Sequence, residues 1–280
     1  MDNDRLRLTK KGLLRLIMDI YLFLRNSWKN IWKQKTIWLF SALPLFNQIF
    51  NIFRINKETN LPTAIFSLLL VSISFILLIS SFVGVPYIAY CLSIDKQVSV
   101  QETLSAIKKF SGRVIGCSCL SLILASPLIV WVLSISINSS THNLEIPNKI
   151  FLFLRFFALF NGLWYFSLFG FFANDWGIRQ SVKAAWSLYI SRFSILAILG
   201  IGTTIILMIY SAASAILTVS IQSGFNTASL AQLNIINPAA TLSRNLLFAF
   251  IYDIGYYIIS AFSTTAFAFA YLKYSEAKSR

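Results

Sequence analysis

Long apolar runs separated by short charged segments recur along the whole chain. A helix of roughly 20 apolar residues is long enough to cross the hydrocarbon core of a bilayer, and each of six runs reaches or approaches that length. The pattern therefore predicts an all-α protein, a polytopic membrane helical bundle with about six transmembrane helices. The runs lie at 36–53, 62–94, 114–137, 150–173, 193–222 and 245–272.

The first run is the shortest and the most polar of the six. Pro44, Asn47, Gln48 and Asn51 interrupt it, so we expect it to span the membrane, to be re-entrant or to pack inside the bundle. Asn47 and Asn51 are four residues apart and share one helical face. Such a polar strip either lines a water-filled path or hydrogen-bonds to neighbouring helices.

The basic residues are distributed unevenly between the segments that separate these runs. Nineteen of the 24 Lys and Arg residues fall in alternate segments, beginning with the N-terminal one. Because cytoplasmic segments of membrane proteins are enriched in Lys and Arg, the pattern predicts a multi-pass protein of the cell membrane with both termini in the cytoplasm. Six spans satisfy this arrangement, whereas five or seven would leave the termini on opposite sides.

The overall composition excludes an ordinary soluble domain. Only 12% of the residues are charged and 57% are hydrophobic, whereas soluble proteins carry about 25% charged residues. A net charge of +14 in a soluble domain would suggest nucleic acid. Here the charge lies beside the spans, so we expect anionic lipid headgroups as partners and no nucleic acid. Three cysteines, at an odd count, also argue against a disulfide framework.

Amphipathic segments precede the first, third and fifth runs. In 24–35, Trp28 and Trp32 belong to an apolar stripe of helical spacing, with basic residues beside it, and this pattern is typical of helices in a membrane interface. The segments 100–114 and 178–193 have similar stripes. We therefore expect contacts with lipid headgroups from Arg25, Lys29, Lys33, Lys108, Lys109, Arg113, Arg179, Lys183 and Arg192.

The same segments suggest a threefold repeat within a single membrane domain, 1–280. Asp95 closes the second run and Asp175 closes the fourth, which divides the chain into units 13–95, 96–176 and 177–276. Each unit would consist of an interfacial helix and a helical hairpin. Any polytopic protein with short cytoplasmic loops shares part of this pattern, so an irregular bundle is the alternative. Within the domain, 1–35 is a basic amphipathic cytoplasmic segment and 36–280 is the six-span bundle.

Two ionisable residues, Arg155 and Asp253, lie well inside predicted spans. A lone charge within the membrane costs several kcal/mol, about 3 on insertion scales, so such residues usually face the bundle interior and pair. One interpretation is an ion or proton site. The alternative is a structural ion pair, or an arginine whose head reaches outward to the interface.

The sequence contains little that could support catalysis. His142 is the only histidine, and no paired carboxylates, phosphate-binding loop or dinucleotide fingerprint is present. These absences argue against an enzyme, and we expect no cofactor and no metal.

Two short segments carry a resemblance to a known family. They are Ser27-Trp-Lys-Asn-Ile-Trp-Lys and Asp175-Trp-Gly-Ile-Arg-Gln-Ser-Val-Lys-Ala-Ala-Trp-Ser-Leu. They resemble the cytoplasmic segments of bacterial six-span membrane proteins of unknown function, a group similar to the membrane domain of glycerophosphoryl diester phosphodiesterases. The catalytic domain of those enzymes needs several His and acidic metal ligands, which this chain lacks. The resemblance therefore implies a bacterial membrane module without the hydrolase activity.

The leading functional hypothesis is a non-catalytic integral membrane protein, a scaffold or accessory module with basic interfacial helices on the inner leaflet. Its partners would be membrane lipids and other membrane subunits. The alternative is a transporter or permease subunit that uses the bundle interior near Asp253, and an enzyme acting on lipids is third. A polar cavity that reaches Asp253 would favour transport, whereas a filled apolar bundle would favour the scaffold.

Overall fold

A computed structural model describes residues 2–46, 61–138, 162–223 and 246–279. Side chains are described at 12, 14–46, 65–120, 123, 162–221 and 248–275. Every regular element in these parts of the chain is helical, and none of their residues lies in a β-strand. The predicted all-α class is therefore confirmed.

Eight α-helices follow one another along the described ranges. They are α1 (Asp2–Ile31), α2 (Lys35–Ala42), α3 (Leu61–Ser93), α4 (Val100–Asn138), α5 (162–174), α6 (Ile178–Ser191), α7 (Phe193–Ser223) and α8 (Leu246–Ser279), with a 3-10 turn, Leu43–Leu45, after α2.

Three of these helices are long and apolar enough to cross a membrane. The apolar stretches are Ile65–Ser93 in α3, Phe193–Ile221 in α7 and Phe248–Ser275 in α8, with 29, 29 and 28 residues. At about 1.5 Å per residue each exceeds the roughly 30 Å of a hydrocarbon core. They correspond to the second, fifth and sixth apolar runs. The third and fourth runs extend beyond the side chains that are described.

The first apolar run does not begin as one span-length α-helix. α2 has eight residues and ends at the 3-10 turn, which contains Pro44. Proline removes a backbone donor and disfavours a continuing α-helix. α2 packs against α3, where Ile37 and Phe40 are buried in a cluster with Val85 and Ile88. The described part of the run thus fits the packed segment rather than a straight span.

The second predicted unit differs from the expected pattern of a separate interfacial helix and span, because α4 is continuous from Val100 to Asn138. Its start is fixed by a capping box. The backbone N–H of Ser99 donates to Glu102 Oε2 at 2.9 Å, and the N–H of Glu102 donates to Ser99 Oγ at 3.2 Å. These reciprocal bonds satisfy two donors that a helix N-terminus leaves unpaired.

Asp95 and Asp175 end α3 and α5 in the same backbone conformation. Their φ angles are 55° and 52°, in the left-handed region that Asp tolerates better than most residues. The N–H groups of Asp95 and Lys96 bond to Leu92 and Cys91, as in a Schellman motif, and the N–H of Asp175 bonds to Phe171. The sequence prediction that these two residues close their helices is confirmed.

The core of the bundle is organised around α8, which packs against α1, α2, α3 and α7. Within an apolar 18-residue window of each stretch, 56% of the residues are buried in α8, against 22% in α3 and 28% in α7. A layer of aromatic rings fills the space between α5 and α8. Tyr165 stacks on Phe267 with ring centres 5.2 Å apart, and Phe169 lies 5.6 Å from Tyr271.

Gly84 permits α2 and α4 to approach α3 closely. A methyl group on Gly84 would lie 2.8 Å from Phe40 Cδ1 and 3.3 Å from Thr103 Cγ2, whereas nothing lies within 4 Å of the same position at Gly112 on α4. We predict that Gly84→Ala lowers the free energy of unfolding by about 1–3 kcal/mol through overpacking. Gly112→Ala, the matched control, should raise it by up to about 1 kcal/mol through helix propensity. Unfolding in mixed micelles measures both, and equal effects would refute the close approach.

Candidate functional site

One face of the bundle gathers the ends of several helices. The Arg192 guanidinium, just before α7, lies 5.2 Å from the centre of the Tyr274 ring near the end of α8. Toward the start of α8, the hydroxyl of Tyr210 donates to the carbonyl oxygen of Ile251 at 2.5 Å. α7 and α8 are therefore antiparallel, with the start of one beside the end of the other.

The end of α3 lies at the same face, because Ala89 belongs to the cluster that contains Tyr271 and Tyr274. The short connection 94–99 then places the start of α4 there, and α6 leads directly into α7. Seven of the nine basic residues predicted to contact lipid headgroups therefore belong to helices that begin or end at this face, and Lys33 and Arg192 lie in turns next to such helices. Eight of the nine are exposed, and Arg113 is half-buried. We call this face the basic face.

α1 presents apolar residues on two sides. Its inner side contains Phe23, Ser27 and Ile31, which are buried against the bundle. A second series at helical spacing faces outward; we call this the outer stripe, and it consists of Leu14, Ile17, Met18, Tyr21, Trp28 and Trp32.

Basic side chains accompany the outer stripe. Arg25 lies between Tyr21 and Trp28, while Lys29 and Lys33 follow at intervals of four residues along its border, and all three are exposed. An exposed apolar surface bordered by cations matches the acyl chains and anionic headgroups of a leaflet. The expected amphipathic character of 24–35 is thus present, with a second apolar side that packs on the protein.

The apolar stripes predicted for the other two segments are divided between protein and surface. In α6, Trp186 is 50% exposed whereas Tyr189 is 1% exposed. In α4, Leu104 is exposed whereas Val114 is buried. The bundle therefore covers part of each stripe and leaves the rest at the surface, and the prediction that these segments lie in a membrane interface stays a prediction.

Two of the predicted lipid contacts are engaged in an ion-pair cluster. Asp175 accepts from Arg113, and its other carboxylate oxygen lies 2.9 Å from Lys109 Nζ. Arg113 also donates to the backbone carbonyls of Asp175 and Trp176, both at 3.2 Å. These bonds join α4 to the connection between α5 and α6 and satisfy carbonyls at a helix end. The hydrogen bonds from Lys109 and then Arg113 hold the pKa of Asp175 below its ordinary value.

A second charged cluster joins α1 to α8. Lys273 Nζ lies 2.6 Å from Asp19 Oδ1, and the Tyr274 hydroxyl donates to Asp19 Oδ2 at 3.2 Å. Beside it a cavity of about 350 Å³ opens between α1, the start of α7 and the end of α8, with Arg15 and Arg192 in its lining. This volume falls at the lower end of the range of small-ligand pockets.

Asp253 lies half-buried on α8, within one of the helices that can span a membrane. Tyr252 and Tyr256 stack along the same helix, with ring centres 6.0 Å apart. The cavity at Tyr274 is 21 residues farther along α8, a distance of about 30 Å at 1.5 Å per residue. That cavity is therefore not the midplane path that the transport hypothesis requires.

The other predicted intramembrane polar residues, Arg155, Asn47 and Asn51, lie outside the described residues, so their pairing stays a prediction. Among the residues that are described, no three His, Cys, Asp or Glu side chains form a group that could hold a metal ion.

Sequence reasoning missed Arg15 and Asp19 as site residues. The available signal was the position of Asp19, an acidic residue within a strongly basic amphipathic segment and four residues after Arg15. Such a residue is expected to pair with a cation, but its partner Lys273 lies 254 residues away. No local spacing identifies a contact of that length.

We predict that the Asp175 cluster makes stability depend on pH. Because the folded-state pKa of Asp175 is lowered, its contribution is complete above the unfolded pKa of about 3.9 and is lost as the pH falls through the folded value. Asp175→Asn should therefore flatten the decline in melting temperature between neutral pH and about pH 3. Asp95→Asn is the matched control, since Asp95 occupies the same backbone conformation and forms no ion pair among the described residues. Equal flattening in both variants would contradict the assignment.

The chain matches no family model, no curated protein and no solved structure. Function is therefore inferred from the geometry of the basic face. This face combines the outer stripe, the exposed cations beside it, the two charged clusters at Asp175 and Asp19, and the cavity with its two arginines.

Proposed function

We propose that this chain is a non-catalytic, multi-span integral membrane protein that acts as a scaffold or accessory module. Its basic face rests on the cytoplasmic leaflet and binds anionic lipid headgroups. The observation that carries the proposal is the outer stripe of α1, which places exposed tryptophans next to exposed Arg25, Lys29 and Lys33. Apolar burial and attraction to anionic lipid together give interfacial helices their affinity.

The topology that accompanies this proposal has six spans and both termini in the cytoplasm. It is supported by the alternating distribution of Lys and Arg along the sequence. It is supported also by the meeting of the ends of α3 and α8 with the start of α7 at one face. Positively charged segments near short loops determine orientation in membranes, so this face would be the cytoplasmic one.

The threefold repeat is part of the same proposal. Asp95 and Asp175 end their helices in the same left-handed conformation, and a helix with exposed basic residues follows each of them, α4 after the first and α6 after the second. In two units a helix break also separates the basic segment from the apolar run that follows it. The break lies near Gln34 in the first unit and at Arg192 in the third. The resemblance of 27–33 and 175–188 to cytoplasmic segments of bacterial six-span proteins supports a membrane module without a hydrolase domain.

The second candidate is a transporter or permease subunit, favoured by the half-buried Asp253 within an apolar helix. Ionisable residues at such positions often mark ion or proton paths. We place the transport hypothesis second because it depends on the single residue Asp253, whereas the scaffold proposal draws on many exposed basic residues.

Cysteine labelling tests the topology in intact cells. With Cys91, Cys117 and Cys119 replaced by Ser, an impermeant thiol reagent should label Ser140→Cys and should not label Ser187→Cys unless the cells are permeabilised. The reason is that the basic loops lie in the cytoplasm. The reverse pattern would invert the proposed orientation.

Spin-labelled lipids test the proposed function in bilayers. Replacing Arg25, Lys29 and Lys33 with Gln should reduce the preference of the reconstituted protein for phosphatidylglycerol over phosphatidylcholine. The expected loss is about 1 kcal/mol, or about fivefold in association, for each basic residue near the surface. The matched control replaces Arg54, Lys57 and Lys149, which the charge pattern assigns to the opposite side. Equal losses in both triple variants would mean that net charge alone, and not the basic face, selects the lipid.

A further inference from the structure

We infer that the cavity between α1, α7 and α8 is a specific binding site for a phosphate ester, the headgroup of a single anionic phospholipid. The inference deepens the proposed function and rests on it only for the orientation of this face toward anionic lipid. It differs from the general attraction of the basic face, because it assigns one ligand to one cavity.

The charges that line the cavity are unequally compensated. Arg15, Arg192 and Lys273 face a single carboxylate, that of Asp19. Lys273 and the Tyr274 hydroxyl already bind the two oxygens of that carboxylate, at 2.6 and 3.2 Å. Neither arginine pairs with a carboxylate among the described residues. Among the described side chains, the two arginine charges at the edge of this 350 Å³ space therefore have no anion of their own.

The position of Arg192 suits it to bind an anion. Its guanidinium rests over the Tyr274 ring, 5.2 Å from the ring centre, and this cation–π contact fixes the group without using its N–H donors. A guanidinium offers two parallel N–H donors that match two oxygens of a phosphate. Arg15 approaches from a different helix, so one phosphate could bridge α1 and the start of α7.

The apolar part of the lining suggests a lipid rather than a soluble phosphate. Leu16 and Ile195 line the cavity together with the cations, and the apolar stretch of α7 begins at Phe193, directly after Arg192. A headgroup bound at the arginines would thus have its acyl chains beside an apolar helix. Basic pockets between helices at the cytoplasmic side are recognised sites for anionic headgroups.

Native mass spectrometry of the full-length protein in neutral detergent tests the inference. Dioctanoyl phosphatidylglycerol should bind to the unaltered protein with a saturable stoichiometry of one, and dioctanoyl phosphatidylcholine should not. Glycerol 3-phosphate and inorganic phosphate are the second arm. Weak competition by them supports a lipid site, whereas competition as strong as that of the lipid would overturn the lipid assignment. If the unaltered protein shows no saturable single site, the whole inference is overturned. This measurement uses no variant, so a variant that fails to fold cannot affect it.

Three variants then assign the site to its residues. Arg15→Gln with Arg192→Gln should weaken binding at least about tenfold, since each charge-assisted hydrogen bond is worth that factor or more. Arg192→Lys should lose part of this affinity, because lysine keeps the positive charge but lacks the two parallel N–H donors of a guanidinium. Arg54→Gln with Lys57→Gln removes the same charge from the side that the charge pattern assigns opposite the basic face, and should change binding less than about twofold. Equal loss in the two double variants would refute a specific cavity. The variant at Arg25, Lys29 and Lys33 separates this inference from the proposed function. If that variant keeps its preference for phosphatidylglycerol in bilayers, the proposed function fails even when the single site is present. If the preference is lost as expected but the unaltered protein has no single site, only the present inference fails.

Discussion

The close packing of α8 against its neighbours is the constraint on which the other features depend. Among lipid tails, burial of apolar surface gives helices little reason to associate, so tight contact between small side chains and hydrogen bonds must hold them together. Ala261, Ala266, Ala268 and Ala270 on α8 are fully buried and allow that contact. The hydroxyls of Thr264 and Thr265 donate to carbonyls of their own helix, and no unsatisfied donor is buried there as a result.

The packing of these helices determines where the residues of the basic face lie. Helix ends leave carbonyl groups without partners, and long polar side chains from neighbouring segments supply donors to them and to nearby loops. The Gln34 amide donates to the carbonyl of Val98 at 2.6 Å, and Arg113 donates to those of Asp175 and Trp176. The first contact joins the connection before α2 to the loop before α4, and the second joins α4 to the connection between α5 and α6. Each links residues more than 60 positions apart in the chain. The same side chains that complete backbone hydrogen bonding thereby hold the cations of the face in place.

Hydropathy predicted α3, α7 and α8 because an unbroken apolar run of that length has few other stable forms. Helical spacing likewise located the amphipathic segments. The pattern could not say which apolar positions face lipid and which face protein, since both surroundings are apolar: Ile31 is buried and Trp32 is 54% exposed although they are adjacent. It also did not predict that Lys109 and Arg113, assigned to headgroups, bind Asp175. That pairing and the cavity beside Asp19 depend on contacts between distant segments, which residue spacing does not encode.

The two apolar sides of α1 couple lipid and protein contacts in one helix. Its inner side is held by Phe23 against the Tyr274 ring, 6.0 Å between centres, and by the ion pair between Asp19 and Lys273. Its outer stripe is exposed, Trp28 and Trp32 included, and under the proposed function a leaflet would cover it. In this pair the Asp19 side chain is 14% exposed and that of Lys273 is 46% exposed, so the inner side and the pair together hold α1 to α8. A membrane would add to that docking at the outer stripe and at the cavity. If the cavity binds a headgroup as proposed, a helix held jointly in this way would respond to the anionic content of the leaflet, because a headgroup that binds the docked position would shift the population toward it by its differential affinity.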